Sequence, residues 1–174
     1  VRDSLLGREA DDWDITTSAS PYEVKALFRR TIDTGIQHGT VTVMLDKEGF
    51  EVTTYRIDGE YEDGRHPKEV LFTKNLEDDL KRRDFTINAM AVSVNEATFG
   101  ELLDPFNGIV DLHNRIIRTP LDPDITFSDD PLRMMRAVRF ATQLDFRIFP
   151  DTFEAIKRNA GRIEYIHGGV GRNV

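Results

Sequence analysis

The chain has 174 residues, no cysteine, and 23 lysines and arginines against 31 aspartates and glutamates, a formal net charge of −8. A chain of this length makes one domain or two small ones with a sizeable core. It carries no disulfide framework, thiolate zinc site or cysteine nucleophile, and its acidic balance excludes a broad basic surface for coating nucleic acid, so any polynucleotide contact is local. No apolar run reaches the roughly 18 to 20 residues of a membrane span, and Val1-Arg2-Asp3 is not the start of a signal peptide. The expectation is a cytoplasmic protein with no membrane partner.

Residues 1–14 are dense in charge and lead into Asp11-Asp12-Trp13-Asp14-Ile15-Thr16-Thr17. Val24, Leu27, Phe28 and Ile32, spaced by three and four, predict an amphipathic helix from Pro21 to Ile32. The β-branched and aromatic stretches Thr40–Leu45 and Phe50–Tyr55, separated by Asp46-Lys47-Glu48-Gly49, predict a hairpin. Asp58 to Pro67, broken by Gly59, Gly64 and Pro67, reads as a charged solvent loop. Leu76 to Val94 opens with Glu77-Asp78-Asp79 and continues with Lys81-Arg82-Arg83, an order that suits a helix dipole, before turning apolar over Ile87–Val92. Leu121-Asp122-Pro123-Asp124 reads as a turn or linker, Pro131 to Leu144 as a helix, and Thr152 to Ala160 as a second helix stopped at Gly161. The order is mixed α and β to about residue 118 and helix thereafter, a sheet-based head followed by a helical neck.

Asp12-Trp13-Asp14 carries the strongest chemical signal. On a strand, side chains two apart share a face, so both carboxylates project together and repel unless a cation lies between them. Mg²⁺ meets that need, taking one or two protein carboxylates plus phosphate oxygens and water; alone, the same tripeptide is more often a solvated turn. Glu51, on the second hairpin strand, is a third carboxylate suited to in-line phosphoryl displacement, or a residue of an ordinary exposed sheet face. Asp130 and Pro131 fit an N-cap and first helical position, whereas Arg133 places a cation at the positive helix end. Asp130 and Arg133 either present an acceptor and a forked donor to a base edge or form an i,i+3 ion pair. Arg82-Arg83-Asp84-Phe85-Thr86-Ile87-Asn88 suits phosphate and ribose hydroxyls, or is a cationic helix end. His38, His66, His113 and His167 have no ligand spacing.

Taken together, these stretches resemble the class II nucleotidyltransferases, the family of bacterial CCA-adding enzymes and bacterial poly(A) polymerases. VRDSLLGREADDWDITTSA is similar to its first motif, KRRDFTINAMA to its ribose-associated second, DPFNGIVDLHNRIIRT to its hinge motif, and FSDDPLRMMRAVRFA to its base-reading EDxxR motif. The resemblance runs from residue 1 to about 166. It implies an α+β fold: a polymerase β-like nucleotidyltransferase head with a mixed sheet and flanking helices over 1–118, an all-helical neck over 119–166, and a glycine-rich tail or linker over 167–174. It implies that Asp12 and Asp14 hold Mg²⁺ and act in catalysis with Glu51. Nucleotide binding would fall to Arg2, Arg83, Asp84, Asn88, Asp130, Arg133 and Arg136, and the hinge to Asp104, Gly108 and Asp111. The reaction implied is addition of CMP and AMP, from CTP and ATP, to the 3′ end of tRNA. General likeness favours the CCA-adding branch over poly(A) polymerase.

The sequence departs from the family pattern in three places. No strand and Gly-Gly or Gly-Ser turn precedes Val1-Arg2-Asp3, Asp129 stands where Glu is usual, and His167 to Val174 is glycine-rich where relatives continue into a long helix. The chain therefore reads as a fragment or a rearranged chain. Its rivals to CCA addition are poly(A) synthesis, a non-catalytic nucleotide-binding module, and a homodimer in which a second copy supplies the lost strand.

Overall fold

The computed structural model describes residues 1–58 and 70–166, without the side chains of Tyr165 and Ile166. The expected loop beyond Asp58, with His66, and the glycine-rich tail, with His167, lie outside the described residues. The described chain forms two compact units, residues 3–58 with 70–80, and residues 1–2 with 81–166. The division falls inside the expected head of 1–118.

The first, the sheet unit, is built on four strands, β1 (Asp14–Thr17), β2 (Thr31–Gly35), β3 (Thr40–Leu45) and β4 (Glu48–Thr54), in the order β1-β4-β3-β2. The β1–β4 pair is parallel and the others antiparallel, the mixed sheet expected from the sequence. Alternation puts Val41, Val43 and Val52 on one face, where they form a core with Val24 of α2 (Pro21–Leu27) and Ala19. Ser20 and Glu23 form a capping box at the start of α2, with Pro21 in its first turn. The bonds from Ser20 hold the Glu23 carboxyl below its ordinary pKa.

α2 stops at Leu27, because Phe28 is extended and Ile32 belongs to β2. The predicted helix to Ile32 is thus seven residues long: a β-branched pair, Thr31-Ile32, finds a strand partner in Val43 and Thr42. A second hairpin joins β5 (Arg56–Asp58) to β6 (Val70–Phe72), followed by α3 (Leu76–Lys81). Buried Asp79 of α3 accepts the Arg56 backbone N–H at 3.0 Å. Burial first, then the Asp79 charge, pushes the Tyr55 hydroxyl up.

The second, the helical unit, begins where the predicted continuation of α3 fails. Phe85 is extended, its N–H donating to the Asp84 carboxylate at 2.8 Å, and the Thr86 N–H donates to the Arg118 carbonyl at 2.8 Å. These bonds replace helical ones. Phe85, Ile87 and Ala89, at alternate positions, are fully buried; Thr86–Asn88 makes a single 3₁₀ turn, and Ala91–Val92 becomes β7, paired with β8 (Leu102–Leu103). There follow α4 (Gly108–His113), β9 (Ile116–Ile117), α5 (Pro123–Asp129), α6 (Leu132–Leu144), β10 (Arg147–Ile148) and α7 (Pro150–Asn159).

Residues after 118 are not all helical, as the sequence led us to expect. Asp145 ends α6 in the left-handed conformation, φ 56°, and the chain returns as β10 in parallel pairing with β9. Nor is Leu121–Asp124 only a turn: Asp122 caps α5, accepting the Asp124 N–H at 2.9 Å, with Pro123 in the first turn. The Asp124 carboxylate joins α5 to α7 through Arg158 and Asn159, at 2.8 to 3.2 Å.

Candidate active site

In the sheet unit, Asp14 is the first residue of β1 and lies opposite Glu51 of β4 in the parallel register. Register partners on adjacent strands point to one face, so the two side chains leave the same face from backbone positions one strand spacing, ~4.8 Å, apart. The face is the one opposite α2, since the core valines occupy the alternate positions. Asp12 precedes the strand by two residues, and Trp13 between them is 67% exposed. Asp12, Asp14 and Glu51 are all exposed and make no hydrogen bond or ion pair among the described residues.

Exposed like charges held close by backbone register, with no internal cation, form a set of hard oxygen donors that fits a divalent ion. Among the described residues no group of three or more His, Asp or Glu is gathered as a ready-made cage.

The helical unit brings together a second set. Arg2 Nη1 donates to Asn88 Oδ1 at 2.7 Å, Asn88 Nδ2 donates to Asp84 Oδ1 at 3.1 Å, and Arg136 Nε donates to Asp84 Oδ2 at 2.7 Å. Four residues expected to bind nucleotide thus form one hydrogen-bonded chain, its Asp84 buried and its arginines partly open. Phe140 lies beneath it: the guanidinium carbons of Arg2 and Arg136 are 4.8 and 5.1 Å from the ring centroid, and that of Arg139 is 5.0 Å away. Phe85 meets the same ring edge-on at 6.0 Å. Three guanidinium groups about one aromatic ring are a cationic cluster fit for phosphate oxygens.

Arg139 was not among the residues singled out in the sequence. Its signal is the series Arg133, Arg136, Arg139, three apart on one helix. Arg83 is half-buried next to Asp84.

Asp130 and Arg133 do not form the i,i+3 ion pair considered above. Asp130 Oδ1 caps α6 by accepting the Leu132 N–H at 3.0 Å. Arg133 donates instead to two carbonyls, Arg82 O at 2.8 Å and Thr126 O at 3.3 Å. Asp130 Oδ2 and three of the five Arg133 N–H groups keep their capacity among the described residues, an acceptor and a planar donor on one helix turn.

Asp104, Gly108 and Asp111 all fasten α4. Asp104 accepts the Gly108 and Ile109 N–H groups at 2.6 and 2.9 Å. Gly108 packs so close to the Thr86 carbonyl that a Cβ there would collide with it. Asp111, buried, accepts the Thr86 hydroxyl at 2.7 Å and faces Arg118 Nε at 3.2 Å.

Residues 1–118 match the Poly A polymerase head domain. Among curated proteins, the CCA-adding enzyme of Lactobacillus helveticus is 55% identical over 159 residues, covering 91% of this chain and 39% of that protein. The CCA-adding enzyme of Geobacillus stearothermophilus is 50% identical over 166 residues, 95% of this chain and 40% of that protein. The crystal structure of the Bacillus stearothermophilus CCA-adding enzyme in complex with CTP is similar with a TM-score of 0.81 at 48% identity, covering 92% of this chain and 37% of that one. A CCA-adding enzyme in complex with ATP is similar with a TM-score of 0.78 at 32% identity, covering 98% and 38%. The chain spans about two fifths of the length of these curated relatives. With more than half of its length matched to that head domain, the chain belongs to the Poly A polymerase head domain family.

Proposed function

We propose that the chain is the head (1–118) and neck (119–166) of a CCA-adding enzyme, which transfers CMP and AMP from CTP and ATP to the 3′ end of tRNA in the cytoplasm. The observation that carries this reading is the register that sets Asp14 beside Glu51, two residues after Asp12, with none of the three engaged elsewhere among the described residues. The names of the relatives support the same activity.

In the reaction the RNA 3′-oxygen bonds to the α-phosphorus, the bond to the β-phosphate bridge breaks, and pyrophosphate leaves. Mg²⁺, when bound, supplies Lewis-acid activation of the hydroxyl and neutralises charge on the phosphate. Asp12 and Asp14 hold the ion and Glu51 completes the carboxylate set. Arg2, Arg83 and Arg136 take the triphosphate, where forked guanidinium donors match phosphate oxygens. Asp84 and Asn88, fixed by their mutual bond, hold the ribose. Asp130 and Arg133 read the Watson-Crick edge with the groups their structural bonds leave over. Asp104, Gly108 and Asp111 form the joint between head and neck.

The test is a gel assay of the chain with tRNA ending before CCA, in Mg²⁺, with CTP, ATP or both. CTP alone should add two residues, and ATP should add one only after them. The family description favours one second reading, poly(A) polymerase, which would build long A tracts from ATP alone. Calorimetric NTP binding without extension would instead mark a non-catalytic module, and light scattering that gives a dimer would mark the strand-exchanged reading.

A further inference from the structure

The sheet face that carries Asp14 and Glu51 also carries a set of threonine hydroxyls that the preceding assignment leaves unused. Thr42 of β3 is the antiparallel register partner of Glu51, on the side away from Asp14. The row Asp14–Glu51–Thr42 therefore crosses three neighbouring strands with its side chains on one face. Thr34 of β2 reaches the row through a hydroxyl–hydroxyl bond to Thr42 of 3.0 Å, and Thr40 and Thr53 make a second such pair, also 3.0 Å, one row along. A hydroxyl pair consumes one O–H and leaves the other as a donor, with lone pairs to spare.

No Lys or Arg occurs in β1, β2, β3 or β4. A row of neutral hydroxyls offers a triphosphate no countercharge of its own, and it matches an uncharged diol, whose hydroxyls both donate and accept. Thr42 lies one strand spacing from Glu51, near enough for vicinal hydroxyls to reach both positions. An incoming nucleotide brings its triphosphate with its ribose, whereas the reacting end of an RNA is a cis-diol whose 3′-oxygen must come to the carboxylates.

We propose that Thr42, oriented by Thr34, binds the 2′-hydroxyl of the terminal ribose of the RNA acceptor and so makes the site selective for an RNA end over a DNA end. This rests on the proposed function for the place of the 3′-oxygen. Thr42 is a specificity residue here, with no role in the chemical step itself.

The test is equilibrium binding, in Mg²⁺, of two fluorescein-labelled acceptor-stem RNAs ending before CCA, one finishing in ribose and the other in 2′-deoxyribose, with CMP addition followed in parallel. The wild-type chain should hold the ribose-ended RNA about three- to tenfold more tightly, the range of one neutral hydrogen bond. Thr42→Val, nearly isosteric and at home in a strand, should lose the preference; Thr42→Ser should keep it, and Thr34→Val should reduce it. Equal binding of the two RNAs by the wild type, or a preference that survives Thr42→Val, overturns the proposal. A parallel comparison of CTP with 2′-deoxyCTP separates the two sources of ribose: a Thr42→Val effect confined to the nucleotide overturns it as well. Because the readout is binding, a ribose preference that Thr42→Val abolishes in a chain that adds no CMP would sink the proposed activity and leave the ribose contact standing.

Discussion

In the sheet unit the candidate residues owe their positions to the backbone: Asp14 and Glu51 are neighbours because β1 and β4 pair in that register, and no side chain among the described residues holds either in place. In the helical unit the candidates hold one another, through a bonded chain from Arg2 to Asn88, Asp84 and Arg136 over the ring of Phe140. The difference separates two ways of preparing a site. Carboxylates left exposed keep their charge for a ligand and contribute little to stability, whereas a networked cluster fixes its geometry in advance and ties binding to folding. A substitution in the first set should therefore cost activity alone, and one in the second should cost both.

The sharpest break in that comparison is Asp14→Ala. On the proposed function, in which Asp14 holds the ion, its loss should reduce nucleotide transfer about a thousandfold or more, the scale of several kcal/mol of charge stabilisation. The thermal midpoint should stay within about 2 °C, since the side chain has no partner to lose. Single-turnover CMP addition and a thermal melt check the pair of outcomes; retained transfer would refute the assignment of metal to Asp12 and Asp14. Asp84→Ala tests the opposite side. It removes the acceptor of the Phe85 N–H, of Asn88 and of Arg136 at a buried position, so unfolding free energy should fall by about 2–3 kcal/mol. Affinity for CTP should fall with it, measured by calorimetry on still-folded protein. A variant of unchanged stability would mean that the network is not a structural unit.

What could be read in advance divides along a related line. The hairpin β3–β4, the helices α6 and α7 and the Asp130 cap are legible because local pattern and capping chemistry determine them. The stretch from Lys81 to Val92 is not, because the order of acids then cations that suits a helix dipole runs on past Lys81 in sequence, while burial of Phe85, Ile87 and Ala89, and the bond from Thr86 to Arg118, decide its course. The same holds for Ile32, whose spacing fits a helix and whose partner is a strand. Asp12 and Asp14 announce themselves as a motif, but the pairing of Asp14 with Glu51 is a long-range register that no local signal carries. Arg139 needed the ring of Phe140 to make it meaningful.

Arg133 belongs to both kinds of site, since two of its N–H groups are spent on the carbonyls of Arg82 and Thr126 and three remain for a ligand. Arg133→Ala should blur the choice of CTP and ATP over GTP and UTP by about 1–3 kcal/mol, the worth of a forked contact to a base edge. It should also lower stability by about 1–2 kcal/mol from the two lost bonds. Arg133→Lys sharpens the reading, because a lysine can still reach one carbonyl and lacks the planar fork. Competition assays with the four nucleotides measure the first effect and urea unfolding the second. Unchanged selectivity alongside lowered stability would leave Arg133 a structural residue only.

The smallest expected effect belongs to Asp124, which joins α5 to α7. Hydrogen bonds from Arg158 and then Asn159 hold its carboxyl below the ordinary aspartate pKa, and the Arg158 guanidinium is raised in turn. A carboxyl with a depressed folded pKa binds its proton more weakly in the native state than in the unfolded chain. Its contribution to stability is therefore complete above the unfolded value of ~3.9 and fades as pH falls through the folded value. Arg158 does not titrate in that window, so the acid-side loss belongs to the carboxylate. Because the pair is exposed the contribution is modest. Urea unfolding of wild type and Asp124→Asn should show a difference at pH 7 that closes toward pH 3; a difference that persists at pH 3 would mean the substitution acts through packing between α5 and α7, without the charge.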